Sequence, residues 1–330
     1  MNVKEILEKG FVDRQIPEGI NLKKEIDIMR KNKNAIILAH YYQTNDIQDI
    51  ADFVGDSLDL SRKAANNDAY IIVFAGVHFM AETAKILSPE KMVLIPDLFA
   101  GCSLADSCPP KAFSEFIKKY PDHVVISYIN CSAEIKALSD IICTSSNAEY
   151  IISQIPPDKG IVFAPDKNLG NYIKSKTGRQ DMVIWDGACH VHEEFSVEKI
   201  IELKKEHPEA KLLAHPECKN PVLMLADHIG STSSLLKFSK TDSGEKYIVA
   251  TESGIIHQMR KNNPGKDFIP APPIDATCGC NDCEFMKRNT MEKIYNCLRY
   301  ELPEITMDKD LMKKARKPIQ KMLDLSENIK

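Results

Sequence analysis

Ala-Ile-Ile-Leu-Ala-His-Tyr-Tyr (35–42), Val-Val-Ile-Ser-Tyr-Ile-Asn (124–130) and Lys-Leu-Leu-Ala-His-Pro-Glu (211–217) decide the fold. Each is a short apolar run ending in polar residues, and each follows an amphipathic helical stretch, at 22–32, 112–120 and 197–206. Aligned, they put His40, Tyr128 and His215 in register, 88 and then 87 residues apart. ADFVGDS (51–57), SDIICTS (139–145) and ADHIGST (226–232) continue the register: Asp52, Asp140 and Asp227 are each followed by a hydroxyl, at Ser57, Ser145 and Thr232. Strand-like IIVFAGV (71–77), IVFAPD (161–166) and YIVATESG (247–254) come next. Each repeat then closes on cysteine: Cys102, Cys189 and the cluster at 278–283.

Four features recurring in order at a near-constant offset mark an internal repeat. Short strands alternating with helices imply parallel sheets covered by helices. The expected fold is therefore α/β, with three homologous αβ units in pseudo-threefold symmetry around a central active site. The expected domains are 1–105 with 285–330, 106–194 and 195–284. The end of the chain reads as a helical annex, FMKRNTMEKIYNCLRY (285–300) followed by LMKKARKPIQKMLDL (311–325), the latter interrupted by Pro318.

The 330 residues are 43% apolar and carry a formal charge of −4. No apolar run approaches the roughly 20 residues of a membrane span, and the N-terminus lacks a signal-peptide core. A cytoplasmic protein is expected, with no membrane and no nucleic-acid partner, because the mildly acidic balance gives no bulk attraction to either. Any positive field holding an anionic substrate must then be local. Ten cysteines in a reducing compartment point to metal or thiol chemistry for some of them and to packing for most.

Ligands of parallel αβ units collect beyond the strand C-termini, beside helix N-termini. His40, Tyr42, Tyr128, Asn130, His215 and Glu217 end the first strands of the three repeats. Ser57, Ser145 and Thr232 sit where a short strand turns into a helix, so each reads as an N-cap or, if the repeats face one another, as an anion site. One cysteine per repeat at a shared axis would suit an iron–sulfur cluster with one iron left open, or zinc with an open position. No dinucleotide or phosphate-loop signature occurs.

His-Tyr-Tyr-Gln (40–43), Gly-Asp-Ser (55–57), Asp-Leu-Phe-Ala-Gly-Cys-Ser-Leu-Ala (97–105), Tyr-Ile-Asn (128–130), Cys-His-Val-His (189–192), His-Pro-Glu-Cys (215–218), Gly-Ser-Thr (230–232) and Cys-Glu-Phe-Met-Lys (283–287) resemble the quinolinate synthase family. The resemblance runs in order from about residue 20 to residue 300. It implies three similar domains around a central cavity, and condensation of iminoaspartate with dihydroxyacetone phosphate to quinolinate, a precursor of NAD. It also implies functional coupling to an aspartate-oxidising enzyme and a [4Fe–4S] cluster held by three cysteines. Cys102 and Cys189 match two of them. For the third, repeat spacing favours Cys278 and the family motif favours Cys283; Cys283 is chosen, because loops before a metal site tolerate insertion. Cys278 and Cys280 are then left to structural or redox roles.

In that reading Glu217 is the principal base, its pKa expected to be raised by desolvation at an enclosed strand end. His215 and Tyr42 assist in proton relay. His40 and His192 bind substrate carboxylate or phosphate, Tyr128 and Asn130 orient the intermediate, and Ser57, Ser145, Ser231 and Thr232 bind anionic groups. His78, His123, His190, His207, His228 and His257 read as structural. The nearest alternative is a diphthamide-synthesis-like iron–sulfur transferase, which shares the layout of three domains with one cysteine each. An iron–sulfur sensor would need an output surface, and no basic helix supplies one. A zinc-stabilised structural protein fits least, since three distant single cysteines make a poor local zinc site.

Overall fold

The computed structural model describes residues 3–275 and 282–327. Twelve strands are present among them: β1 (Ala35–His40), β2 (Phe53–Gly55), β3 (Ile71–Ala75), β4 (Met92–Leu94), β5 (Val124–Tyr128), β6 (Ile141–Cys143), β7 (Ile161–Ala164), β8 (Met182–Ile184), β9 (Lys211–Ala214), β10 (His228–Ile229), β11 (Lys246–Ala250) and β12 (Asp267–Pro270). They form three four-stranded sheets with one topology, β2-β1-β3-β4, β6-β5-β7-β8 and β10-β9-β11-β12. Every ladder is parallel. The repeated αβ unit read from the sequence is a repeated sheet.

The chain divides into two compact bodies. One holds the chain as far as Cys102 with Glu284–Arg316 and carries the first sheet; the other holds Ser103–Cys283 with the end of the chain from Lys317 and carries the second and third sheets.

The acidic residue of each repeat fastens its sheet. The carboxylates of Asp52, Asp140 and Asp227 accept the N–H of Ile37, Val125 and Leu212 at 2.8, 2.8 and 2.7 Å. In return the N–H groups of the three aspartates donate to the carbonyls of the same three residues. A two-way clasp of this kind satisfies edge groups of the first strand just where the chain returns beside it. It explains why an acid recurs at the same offset, and it places the following hydroxyl segment at the strand's C-terminal end.

Burial on both faces follows from helical cover. All five residues of β3 and all four of β7 are buried, as expected for central parallel strands. The first sheet packs Ile37, Ala39, Val73 and Leu94 against Ile26 of the helix Leu22–Asn32 and Ile294 and Leu298 of the helix Met291–Tyr300. Each such aliphatic side chain contributes about 1.5–3 kcal/mol on full burial. The second sheet packs Val125, Val162 and Ala164 with Phe113, and the third packs Leu212, Ala214, Ile248 and Ala250 with Ile200 and Val222. The last helix, Lys309–Leu325, runs on through Pro318 rather than stopping there. Its loss is local: proline removes one N–H from the ladder, while the turns on either side keep theirs.

Candidate active site

The same turn follows the first strand of the first and third sheets. After β1, Gln43 N–H donates to the His40 carbonyl at 3.0 Å and Tyr42 N–H reaches His40 Nδ1 at 3.2 Å. After β9, Cys218 N–H donates to the His215 carbonyl at 3.0 Å and Glu217 N–H reaches His215 Nδ1 at 3.3 Å. Each turn folds a histidine against the residue two positions on. In the first body this packs the His40 and Tyr42 rings edge to face with centroids 4.4 Å apart. In the second body it fixes Glu217.

Around Glu217 the second and third sheets bring together six of the residues singled out from sequence. Tyr128, at the end of β5, donates its hydroxyl to Glu217 Oε1 at 2.6 Å. His192 Nδ1 lies 3.2 Å from Glu217 Oε2, and His215 Nδ1 lies 3.6 Å from Oε1. The two imidazole rings are 4.9 Å apart, and His215 Nε2 is 3.2 Å from Ser145 Oγ. Cys189 completes the group: one ligand atom each from Cys189, His192 and Glu217 lies within 4.8 Å of the others. Tyr128, His192, His215 and Glu217 are all buried.

The sequence reading expected desolvation to raise the Glu217 pKa. Burial does push it up, but the charges of His192 and then His215, with the Tyr128 hydrogen bond, outweigh it and hold the carboxyl at about 2. His192 Nδ1 is the nearer of the two ring nitrogens to the carboxylate, at 3.2 Å against 3.6 Å for His215 Nδ1. Glu217 is therefore an ionised carboxylate at neutral pH. The raised carboxyl is a different one. Asp166, fully buried, is pushed well up by desolvation and by the charge of Glu217, against the pull of the Leu169, Asn168 and Cys189 amides. Its Oδ2 has no hydrogen-bond partner among the described residues.

The hydroxyls are not the helix caps expected. Asp56 caps the helix Ser57–Ala65, its Oδ1 accepting from Leu58 and Asp59 N–H at 3.0 Å each. Ser231 caps the helix Thr232–Thr241, accepting from Ser234 N–H at 3.3 Å. In the second repeat the helix Ala148–Ser153 has Asn147 at its N-cap, but the turn before it already winds from Thr144, whose carbonyl accepts Ala148 N–H and whose Oγ1 accepts Ser146 N–H. Asp56, Thr144 and Ser231 occupy one repeat position, and a single residue later come Ser57, Ser145 and Thr232. The reason is geometric: a cap must keep extended backbone, and the residue after it is already turning. Asn130, also chosen from sequence, holds Oδ1 buried without a hydrogen-bond partner among the described residues.

The described cysteines fall into two groups. Cys108, Cys131, Cys143, Cys218 and Cys297 are buried, whereas Cys102, Cys189 and Cys283 are partly exposed. Desolvation pushes the Cys108 thiol up to about 12 and raises Cys143, Cys218 and Cys297 as well. A metal ligand needs access, and among the described cysteines Cys102, Cys189 and Cys283 are the partly exposed ones. Cys278 and Cys280 lie outside the described residues. Of the histidines read as structural, His190 Nδ1 pairs with Ser103 Oγ at 2.7 Å, and His228 stacks on Phe238.

Sequence reasoning missed Thr251, Glu252 and Asp166. Thr251 Oγ1 lies 3.0 Å from His192 Nε2, and the buried Glu252 accepts Cys283 N–H at 3.1 Å. Their signal was present: an acid follows the third strand-like segment both in IVFAPD (161–166) and in YIVATESG (247–254).

No helix among the described residues is long and apolar enough to cross a membrane. Residues 24–324 match the family model described as quinolinate synthetase A protein. The chain is 60% identical to the quinolinate synthase of Thermosynechococcus vestitus over 312 residues, covering 94% of this chain and 98% of the relative. It is 62% identical to that of Microcystis aeruginosa over 298 residues (90% and 93%), and 58% identical to that of Chloroherpeton thalassium over 308 residues (93% and 95%). With its three sheets of one topology and a match over nearly its whole length, the chain belongs to the quinolinate synthetase A family.

Proposed function

We propose that this chain condenses iminoaspartate with dihydroxyacetone phosphate to quinolinate, releasing phosphate and water, as a step towards NAD. The observation that carries the reading is the buried Tyr128–Glu217–His192 constellation beside Cys189 in a chain of this family. The reaction joins two small anions, closes an imine and removes hydroxyls, with no net gain or loss of electrons. Cys102, Cys189 and Cys283 would hold a [4Fe–4S] cluster, which when bound supplies a Lewis acid for hydroxyl departure. The domains follow the three repeats, 1–105 with 285–330, 106–194 and 195–284.

The protein's own groups do the rest. Glu217 Oε2 is the proton acceptor: Oε1 is occupied by the Tyr128 hydroxyl, while Oε2 faces His192 Nδ1. A carboxyl held at about 2 is ionised but a weak base, so a proton that Glu217 accepts is passed on at once, with His192 Nδ1 next in line at 3.2 Å. His215 relays protons through Ser145 Oγ, with Tyr42 as a second relay. Asn130 Oδ1 and the hydroxyls Ser57, Ser145, Ser231 and Thr232 bind polar groups of the substrates, with His40 on a carboxylate or phosphate. Oxaloacetate and ammonia generate the imine in solution, so the test is direct. Anaerobically purified protein with about four irons per chain should form quinolinate only when dihydroxyacetone phosphate is also present. Fully loaded protein that forms none would sink the reading.

A further inference from the structure

The loop that leaves β11 is Thr251-Glu252-Ser253-Gly254, and each of its first three residues grips a different part of the second body. Thr251 Oγ1 meets His192 Nε2 at 3.0 Å. Glu252, with no exposed surface, accepts Cys283 N–H on Oε1 at 3.1 Å and Gly254 N–H on Oε2 at 2.8 Å. Ser253 donates its hydroxyl to Asp282, the residue before Cys283. Two successive residues of one loop thus fasten two successive residues ending in a partly exposed cysteine. A buried carboxylate is expensive unless its oxygens are satisfied. Here both are spent on backbone N–H groups, one of them that of Cys283.

The second repeat offers the counterpart. β7 ends at Ala164 and β11 at Ala250, and two residues beyond each end comes a buried acid, Asp166 and Glu252. Asp166 Oδ1 accepts Leu169 N–H at 2.7 Å, and the Cys189 amide is among the groups that draw its carboxyl down against the push of burial. In both repeats a buried acid looks at the backbone of the exposed cysteine. The first repeat has Gly76 and Val77 after β3, and no acid.

We propose that Glu252 is a positioning residue for Cys283: it fixes the peptide of that cysteine so that its sulfur is presented for iron, while Thr251 orients His192 from the same loop. The proposal rests on Cys283 being an iron ligand in the reading given above. Partners of this kind, one shell behind a metal ligand, shift metal affinity by about 10- to 100-fold when removed.

The test uses the full chain in two arms. In cluster-free protein, alkylation of each cysteine is followed by mass spectrometry. Glu252→Ala should speed labelling of Cys283 several-fold and leave Cys102 unchanged, and Glu252→Gln, which keeps one acceptor oxygen, should fall between. In reconstituted protein, iron should pass to a chelator about 10- to 100-fold faster from Glu252→Ala than from wild type, with an altered electron paramagnetic resonance spectrum of the reduced cluster. Thr251→Val, a milder change at the same loop, guards against loss of folding and should alter neither Cys283 labelling nor chelation. Equal change at Cys102 and Cys283, or none at Cys283, overturns the proposal. A wild-type chain that takes up no iron would defeat the cluster reading instead, and the alkylation arm would still decide whether Glu252 holds Cys283.

Discussion

Tyr128 Oη donates to Glu217 Oε1 at 2.6 Å across 89 residues of chain. The bond joins the first strand of the second sheet to the turn after the first strand of the third, so it both ties two repeats together and occupies Oε1, while Oε2 faces His192 Nδ1. Removing the hydroxyl strands a buried carboxylate with one donor fewer, at a cost of about 1–3 kcal/mol. Tyr128→Phe should therefore lower the melting temperature modestly and reduce kcat by on the order of 10²-fold, with iron content unchanged. Unaltered kcat with a lowered melting temperature would make the bond purely structural.

Glu217→Gln separates the base from the cluster. The amide keeps the shape and can still accept from Tyr128, but it cannot take a proton. Iron and sulfide should stay at wild-type levels while quinolinate formation disappears. Turnover within a few-fold of wild type would remove Glu217 as the proton acceptor.

The low Glu217 pKa has a consequence for acid stability. Unfolded, the carboxyl titrates near its ordinary 4.5; folded, it is held at about 2 by His192 and His215 against the upward push of burial. A pKa depressed by folding stabilises above the unfolded value, and that stability is lost as pH falls from there towards the folded value. In cluster-free protein His192→Asn removes the larger of the two contributions that lower the Glu217 carboxyl, so its folded pKa should rise and acid unfolding should begin at higher pH. Carboxyl-labelled NMR of Glu217 reads the shift directly, and an unchanged titration would assign the lowering to other groups.

The cap positions predict a split between neighbours. Asp56→Ala removes a side chain that satisfies two N–H groups of its helix and should cost about 1–2 kcal/mol. Ser57→Ala, one residue on, should change stability by only a few tenths of that and raise KM instead. Denaturant unfolding and steady-state kinetics on the pair distinguish the two, and equal destabilisation by both would return Ser57 to a capping role.

What could be read from sequence follows the range of the physics. The repeat was legible because Asp52, Asp140 and Asp227 do one job, clasping Ile37, Val125 and Leu212, and a repeated job leaves a repeated residue. Residue types at strand ends likewise announced Glu217 and His215, and the resemblance of Cys-His-Val-His (189–192) to the family motif pointed to His192. The caps were misplaced by one residue because a run such as Asp-Ser or Ser-Thr offers two oxygens, and only backbone geometry says which is extended. The Glu217 pKa was misjudged for a different reason. Burial is foreseeable from one segment, but the opposing charge comes from His192, on a short helix of the neighbouring repeat. Glu252 was passed over because it follows a strand-like segment in sequence, and its partner Cys283 lies 31 residues away.

The cysteines give the last prediction. Exposure divides the described cysteines: Cys102, Cys189 and Cys283 are partly exposed, and the other five are buried. A buried thiol whose pKa burial has raised, such as Cys108 at about 12, neither ionises readily nor meets solvent-borne iron. Serine in place of Cys108, Cys143 or Cys297 should therefore cost stability, because a hydroxyl enters an apolar core, yet leave iron at about four per chain. Serine at Cys102, Cys189 or Cys283 should do the reverse, sparing the fold and abolishing iron retention in anaerobic preparations. Cys278→Ser tests the competing spacing, and it should keep its iron. Mössbauer spectra and sulfide analysis on the series check each outcome. Iron lost with Cys278 and kept with Cys283 would move the third ligand, and with it the part Glu252 plays.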